Sequence, residues 1–158
     1  MIRKKILLLG DFHVGKTSLI RRYVDNSFDD NYLTTIGVKI SRKQIVTDHE
    51  SYELLIWDIE GATPKKRIPK NYLKGASGAI FVADVSREET IKNLEAHIED
   101  FRSVNPGAAY LTAYNKADML TPAQQDAYPL GDSVFLTSAK ENQNVSLLFE
   151  TLTKRILG

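Results

Sequence analysis

The chain has 158 residues, 42% of them hydrophobic, enough for one well-filled core and too few for two, so a single domain over residues 1–158 is expected. Its 21 basic and 20 acidic residues are interspersed and leave a formal net charge of +1, which gives no electrostatic ground for a nucleic-acid partner. The absence of cysteine excludes disulfides, thiolate metal sites, thiol nucleophiles and cysteine-linked lipids within these residues, and suits a reducing, cytoplasmic setting.

In chain order, the basic start Met1 to Lys5 leads into an apolar run of only Ile6 to Leu9 before Gly10 and Asp11 interrupt it, which reads as a strand and not as an export signal. No stretch approaches the roughly 18 apolar residues that span a bilayer, and Ile2 stands where myristoylation requires glycine. Strands are expected at 5–9, 37–46, 52–59, 79–85, 109–114 and 134–136, and helices at 16–24, 90–104 and 145–156. In the last helix Leu147, Leu148, Leu152 and Ile156 make an apolar face. This alternation predicts an α/β layered domain. The link around Asp48, His49 and Glu50 is too short for a crossover helix, so the second and third strands should be antiparallel neighbours in an otherwise parallel, six-stranded sheet. Between Asn115 and Ser138 lie 22 residues, crowded by Pro122, Pro129 and Gly131, and a helix of about two turns is expected there.

The first chemical signature is Gly10-Asp11-Phe12-His13-Val14-Gly15-Lys16-Thr17, which fits G-x-x-x-x-G-K-[ST] between a strand and a helix. Triphosphate oxygens need many short-range donors, and a glycine-bearing loop opening into a helix N-terminus supplies backbone N–H groups and the positive end of a dipole. Residues Phe12, His13, Val14, Gly15, Lys16, Thr17 and Ser18 are therefore candidates for binding phosphate. Lys16 carries charge for the β- and γ-phosphates, and the Thr17 hydroxyl is a candidate magnesium ligand.

Two later segments choose the base. Asn115-Lys116-Ala117-Asp118 follows the fifth strand, at the end where open α/β sheets place their ligand crevice. A carboxylate at Asp118 can accept from both N1–H and the 2-amino group of guanine, a donor pair that adenine lacks. Thr137-Ser138-Ala139-Lys140 follows the last strand, where the Ala139 N–H can meet the guanine carbonyl oxygen. A surface turn is the competing reading of either tetrapeptide taken alone.

These segments in this order resemble the Ras superfamily, with a Rab-like flavour, over essentially the whole chain. The likeness is carried by Gly10-Asp11, by Val14-Gly15-Lys16-Thr17-Ser18-Leu19, by Thr34-Thr35-Ile36-Gly37, and by Trp57-Asp58 ahead of Gly61. The resemblance implies a small-GTPase fold, GTP or GDP as the bound nucleotide and Mg2+ as the metal. It implies that Thr35 contacts magnesium and γ-phosphate, that Phe28 packs against the base or ribose, that Asp58 holds magnesium through water, and that the Gly61 N–H senses the γ-phosphate. Lys16, Thr35 and Gly61 are then the catalytic candidates, with Thr17, Thr35 and Asp58 at the metal. It also implies an effector that reads the regions around Thr35 and Gly61, together with an exchange factor and an activator.

Departures from the family pattern bear on mechanism. Ala62 stands where most members carry a glutamine that orients the attacking water, and an alanine methyl can neither donate nor accept a hydrogen bond. Phe12 and His13 are bulky where many relatives are small. Glu60 replaces a typical alanine; it either positions water or points outward, and the second is preferred. No spacing brings His13, Arg67 or Arg87 into a catalytic role. Trp57 reads as a packing residue at the sheet edge or beside switch two, and Lys65, Lys66, Arg67 and Lys70 as a basic face of a switch-two helix. The chain stops at Gly158 with neither tail nor terminal cysteine, so no direct lipid anchor is expected, a trait that also suits prokaryotic Ras-like members. The functional expectation is a guanine-nucleotide switch with slow intrinsic hydrolysis. The alternative is a hydrolysis-deficient GTP-binding interaction module, and a phosphotransferase fits least because Asp118 and Thr35 suit a switch better.

Overall fold

The computed structural model describes residues 2–26, 37–59, 61 and 66–158. Six strands form one sheet in the order β2-β3-β1-β4-β5-β6: β1 (Ile2–Leu9), β2 (Val38–Val46), β3 (Ser51–Ile59), β4 (Gly78–Asp84), β5 (Ala109–Asn115) and β6 (Val134–Leu136). Every neighbouring pair is parallel except β2 and β3, which run antiparallel from Val38 opposite Ile59 to Val46 opposite Ser51. The mixed sheet is therefore as expected. Its tight link is closed by the Thr47 N–H donating to the Glu50 carbonyl at 2.9 Å.

The period of two along the strands divides the interior into two layers. On one face, Ile6 and Leu8 of β1, Leu54 and Ile56 of β3, and Ile80 and Val82 of β4 meet helices α1 (Lys16–Asp25) and α6 (Val145–Leu157) through Leu19, Leu148, Phe149 and Leu152. On the other, Leu7, Leu9, Ala79, Phe81 and Ala83 pack with α2 (Lys70–Leu73), α3 (Glu88–Lys92) and α4 (Leu94–Val104), chiefly through Leu73, Leu94 and Phe101. Burial on both faces is why β4 and the second half of β1 read as unbroken apolar runs.

Several expected elements differ. The helix expected over 90–104 is broken at Asn93 into α3 and α4, and the Asn93 side chain turns to donate to Asp11 Oδ2 at 2.7 Å. In place of a two-turn helix after Asn115 there is a 3-10 turn, Ala117–Met119, and a five-residue helix α5 (Pro122–Asp126). Pro122 starts α5, and Thr121 with Gln124 forms a reciprocal capping box that fixes its first turn. Of the basic cluster after Gly61, only Lys70 lies in a described helix; Lys66 and Arg67 precede it, and Arg67 pairs with Asp100 of α4 at 2.7 Å. Trp57 is not at a sheet edge, since β3 lies between β2 and β1, and the Lys5 ammonium sits 3.7 Å from its ring centroid.

Strands β1, β3, β4, β5 and β6 all point the same way, so Gly10, Asp58, Asp84, Asn115 and Thr137 gather at one end of the sheet. The chain leaves β1 toward β3 on one side and reaches β4 on the other, and such a reversal of strand order opens a crevice at the carboxyl ends.

Candidate functional site

The loop from Gly10 to Gly15 joins β1 to α1, and its carbonyls are held by side chains from four directions. Lys16 Nζ donates to the Gly10 carbonyl at 3.1 Å and to that of Asp11 at 2.8 Å. Both terminal nitrogens of Arg87 reach the Phe12 carbonyl at 2.9 Å. Lys116 Nζ donates to the His13 carbonyl at 2.8 Å, and Asn115 Nδ2 to that of Val14 at 3.0 Å. Among the described residues all peptide bonds are trans, and in a planar trans peptide the N–H points opposite to the C=O, so each restraint also sets the direction of the next residue's N–H. The N–H groups of His13, Val14 and Gly15 donate to no described residue. Gly15 caps α1 at φ 100°, a left-handed conformation that L side chains rarely adopt; a Cβ there would stand 2.2 Å from Asn115 Nδ2.

Lys16 is buried inside this loop, and burial lowers its pKa to about 8, against the pull of the Asp58 and Asp11 carboxylates and with a further push from the Arg87 charge. Thr17 Oγ1 donates to Asp58 Oδ2 at 2.5 Å, so a hydroxyl from α1 and a carboxylate from β3 share one place beside the loop. Two such oxygens are hard donors of the kind magnesium takes, and the residues present fit that ion. Gly61 is buried against the same loop: a Cβ on it would lie 2.5 Å from the Phe12 nitrogen.

Behind the loop is a buried polar cluster that spacing did not reveal. The Asp11 carboxylate accepts from Asn93 at 2.7 Å and lies 2.8 Å from His97 Nε2 on α4. Asp84, 1% exposed at the side chain, takes Lys116 Nζ at 2.9 Å and lies 3.8 Å from Arg87 Nη1, and its other oxygen accepts from the Ser86 N–H and hydroxyl. Burial pushes the Asp84 carboxyl up, but the Ser86 and Lys116 hydrogen bonds outweigh it and hold the group below its ordinary 3.8. A charged residue ending the apolar run Phe81-Val82-Ala83 was the available signal for Asp84; Arg87, Asn93 and His97 had none.

The second half of the site lies around Asp118. Asp118 Oδ1 accepts from the Ser138 hydroxyl at 2.6 Å, and Ser138 also takes the Glu141 N–H at 3.0 Å. The Thr137 hydroxyl donates to Asn115 Oδ1 at 2.9 Å, tying the β5 and β6 ends together. Arg22 of α1 reaches across to the carbonyls of Ala139 at 2.8 Å and Lys140 at 3.0 Å. Gly15, Ser18, Asn115, Asp118, Ala139 and Lys140 thus border one pocket, whose rim Asp118 shares with the half-exposed Met119. The structure therefore brings Phe12 to Ser18 together with Asp58, Gly61, Asn115, Lys116, Asp118 and Ser138 to Lys140. Phe28, Thr35, Glu60 and Ala62 lie outside the described residues.

Comparison with known proteins identifies the family. A model of the Ras family matches residues 5–158. The Ras-related protein Rab-22A of Canis lupus familiaris and that of Homo sapiens are each 34% identical over 160 aligned positions, covering 96% of this chain and 82% of the relative. The Mus musculus protein of the same name matches to the same extent.

Proposed function

The chain belongs to the Ras family, and from that premise we propose that it is a guanine-nucleotide switch, binding GTP or GDP with magnesium and hydrolysing GTP slowly on its own. The observation that carries the reading is the run of restrained carbonyls from Gly10 to Val14, which leaves consecutive N–H groups at the N-terminus of α1 for an anion. Lys16, now turned onto the Gly10 and Asp11 carbonyls, supplies the mobile charge for the β- and γ-phosphates. Ser138 holds one oxygen of Asp118, and the carboxylate accepts the N1–H and 2-amino group of guanine. The Ala139 N–H meets the guanine carbonyl oxygen, and Phe28 packs against the base or ribose.

Thr17 and Thr35, with Asp58 acting through water, would hold the magnesium, which would supply positive charge to offset that of the phosphates. Thr35 and Gly61 respond to the γ-phosphate and order the two segments that an effector reads; loss of the phosphate releases them. An exchange factor and an activator complete the cycle. Among the described residues no helix is long and apolar enough to cross a membrane, and the switch works in the cytoplasm as a single domain.

Slow hydrolysis follows from Ala62, which offers the attacking water no hydrogen bond. A partner's arginine typically contributes roughly 10³–10⁵ in rate to such enzymes, so an activator can restore turnover. The same alanine favours the second reading, a GTP-binding module whose signal is long-lived because hydrolysis is lost. Single-turnover hydrolysis of pre-loaded GTP separates the two. Slow turnover raised about tenfold or more by Ala62→Gln is the expected result for the switch. Inertness in both proteins selects the binding module, and a wild type that takes up no guanine nucleotide refutes both.

A further inference from the structure

Three of the four side chains that hold the loop carbonyls, Lys16, Asn115 and Lys116, are the loop's own lysine or belong to a segment already assigned to the nucleotide; Arg87 does not. It lies just beyond β4, in the turn that leads into α3, fixed by its own N–H to the Asp84 carbonyl and by its carbonyl to the Thr90 N–H, both at 3.0 Å. Its side chain is only 33% exposed. Nη1 and Nη2 both stand 2.9 Å from the Phe12 carbonyl oxygen, and Nη1 is 3.4 Å from that of His13. The charges facing it are the Asp84 carboxylate at 3.8 Å and the exposed Glu89 at 3.7 Å. Lys116 uses the same Asp84 oxygen and takes the next carbonyl along, that of His13. One buried carboxylate thus anchors two cations on two successive peptide groups.

We propose that Arg87 is a positioning residue of the phosphate loop: it pins the Phe12 carbonyl outward, and the planar peptide turns the His13 N–H onto the phosphate side. Arg87 acts from the carbonyl face of the loop, so it touches neither nucleotide nor attacking water. The proposal rests on the guanine-nucleotide reading above and adds to it the means by which one phosphate donor is aimed. A fork of two donors on one oxygen fixes a peptide plane more tightly than one bond does. Losing a charge-assisted bond of this kind corresponds to about a tenfold change in an equilibrium constant.

The test compares wild type, Arg87→Lys and Arg87→Ala for GDP dissociation rate, for preference for GDP over GMP, and for urea unfolding. Expected are GDP loss about tenfold faster in Arg87→Ala, a reduced preference for GDP over GMP, and partial recovery in Arg87→Lys. An arginine that merely tethers α3 lowers the unfolding midpoint and leaves the GDP-over-GMP preference at the wild-type value; that outcome overturns the proposal. Should Arg87→Ala not fold, Arg87→Gln, which keeps a single donor for the Phe12 carbonyl, carries the same comparison. Wild type that binds no guanine nucleotide sinks the functional reading and this proposal together, whereas normal wild-type binding matched by the variants sinks this proposal alone.

Discussion

Gly61 shows how one missing methyl group couples two segments. Its backbone lies so close to the phosphate loop that a Cβ would meet the Phe12 nitrogen at 2.5 Å and the Asp11 carbonyl carbon at 2.7 Å. These are backbone atoms and cannot swing aside. Gly61→Ala should therefore displace the segment proposed above to report γ-phosphate, lowering the affinity for a non-hydrolysable GTP analogue about tenfold relative to GDP, as read by competition against a fluorescent nucleotide. Equal loss for both nucleotides would place the effect in the loop itself. Asp84 makes a prediction in pH. Its folded pKa lies below the unfolded 3.8, so the stabilisation it gives is complete above that value and is lost as pH falls through 3.8 toward the folded pKa. The fall in urea midpoint between about pH 5 and about pH 3 should be smaller in Asp84→Asn than in wild type; an identical fall would show that Lys116 and Ser86 give the carboxylate no net advantage.

At the scale of the element, the apolar face read in α6 holds at Leu148 and Leu152 but not at Leu147, which is half exposed; Phe149, one position further on, turns into the core instead. Leu148, Phe149 and Leu152 are fully buried, and the Phe149 ring stacks on Tyr23 of α1 at 4.3 Å between centroids. Phe149→Ala should cost about 3–5 kcal/mol in urea unfolding, whereas Leu147→Ala, at a half-exposed position, should change stability little. Periodicity also gave β3, β4 and β5 to within about a residue at their ends, because a buried strand is largely an apolar run, whereas β1 starts three residues before the expected Lys5, its exposed first residues forming no apolar run. It did not give the break at Asn93. There the residue types on either side remain helix-compatible, and the helix is interrupted where the side chain serves a carboxylate 82 positions earlier in the chain. Nor did it give the shortness of α5, where Pro122 and the cap set a start but no apolar face draws the helix onward: none of its residues is buried. The same division holds in the candidate site. Phosphate-loop, Asn115 to Asp118 and Thr137 to Lys140 segments were legible because their chemistry needs fixed local spacing. Arg87, Asn93 and His97 were not, because they act on the loop only through tertiary contact, and Asp84 was marked only by its charge at the end of an apolar run.

For the molecule as a whole, two apolar layers share the central strands β1 and β4, so neither layer can lose its packing without exposing the other's floor. One cooperative unfolding transition is expected, with far-UV circular dichroism and Trp57 fluorescence superimposed; separate midpoints would divide the chain into two folding units. Trp57 is the chain's single tryptophan and neighbours Asp58 on β3, so its emission reports the middle of the sheet. The restrained loop has a consequence for the order in which the protein comes into being. Phe12 waits for an arginine 75 positions later, Val14 for an amide 101 positions later and His13 for an ammonium 103 positions later. A chain emerging from the ribosome thus carries its glycine-lysine loop from the outset yet cannot aim it until β5 has cleared the exit tunnel and joined the sheet. Cellular GTP therefore has nothing to grip during most of synthesis, and loading becomes one of the last events in maturation.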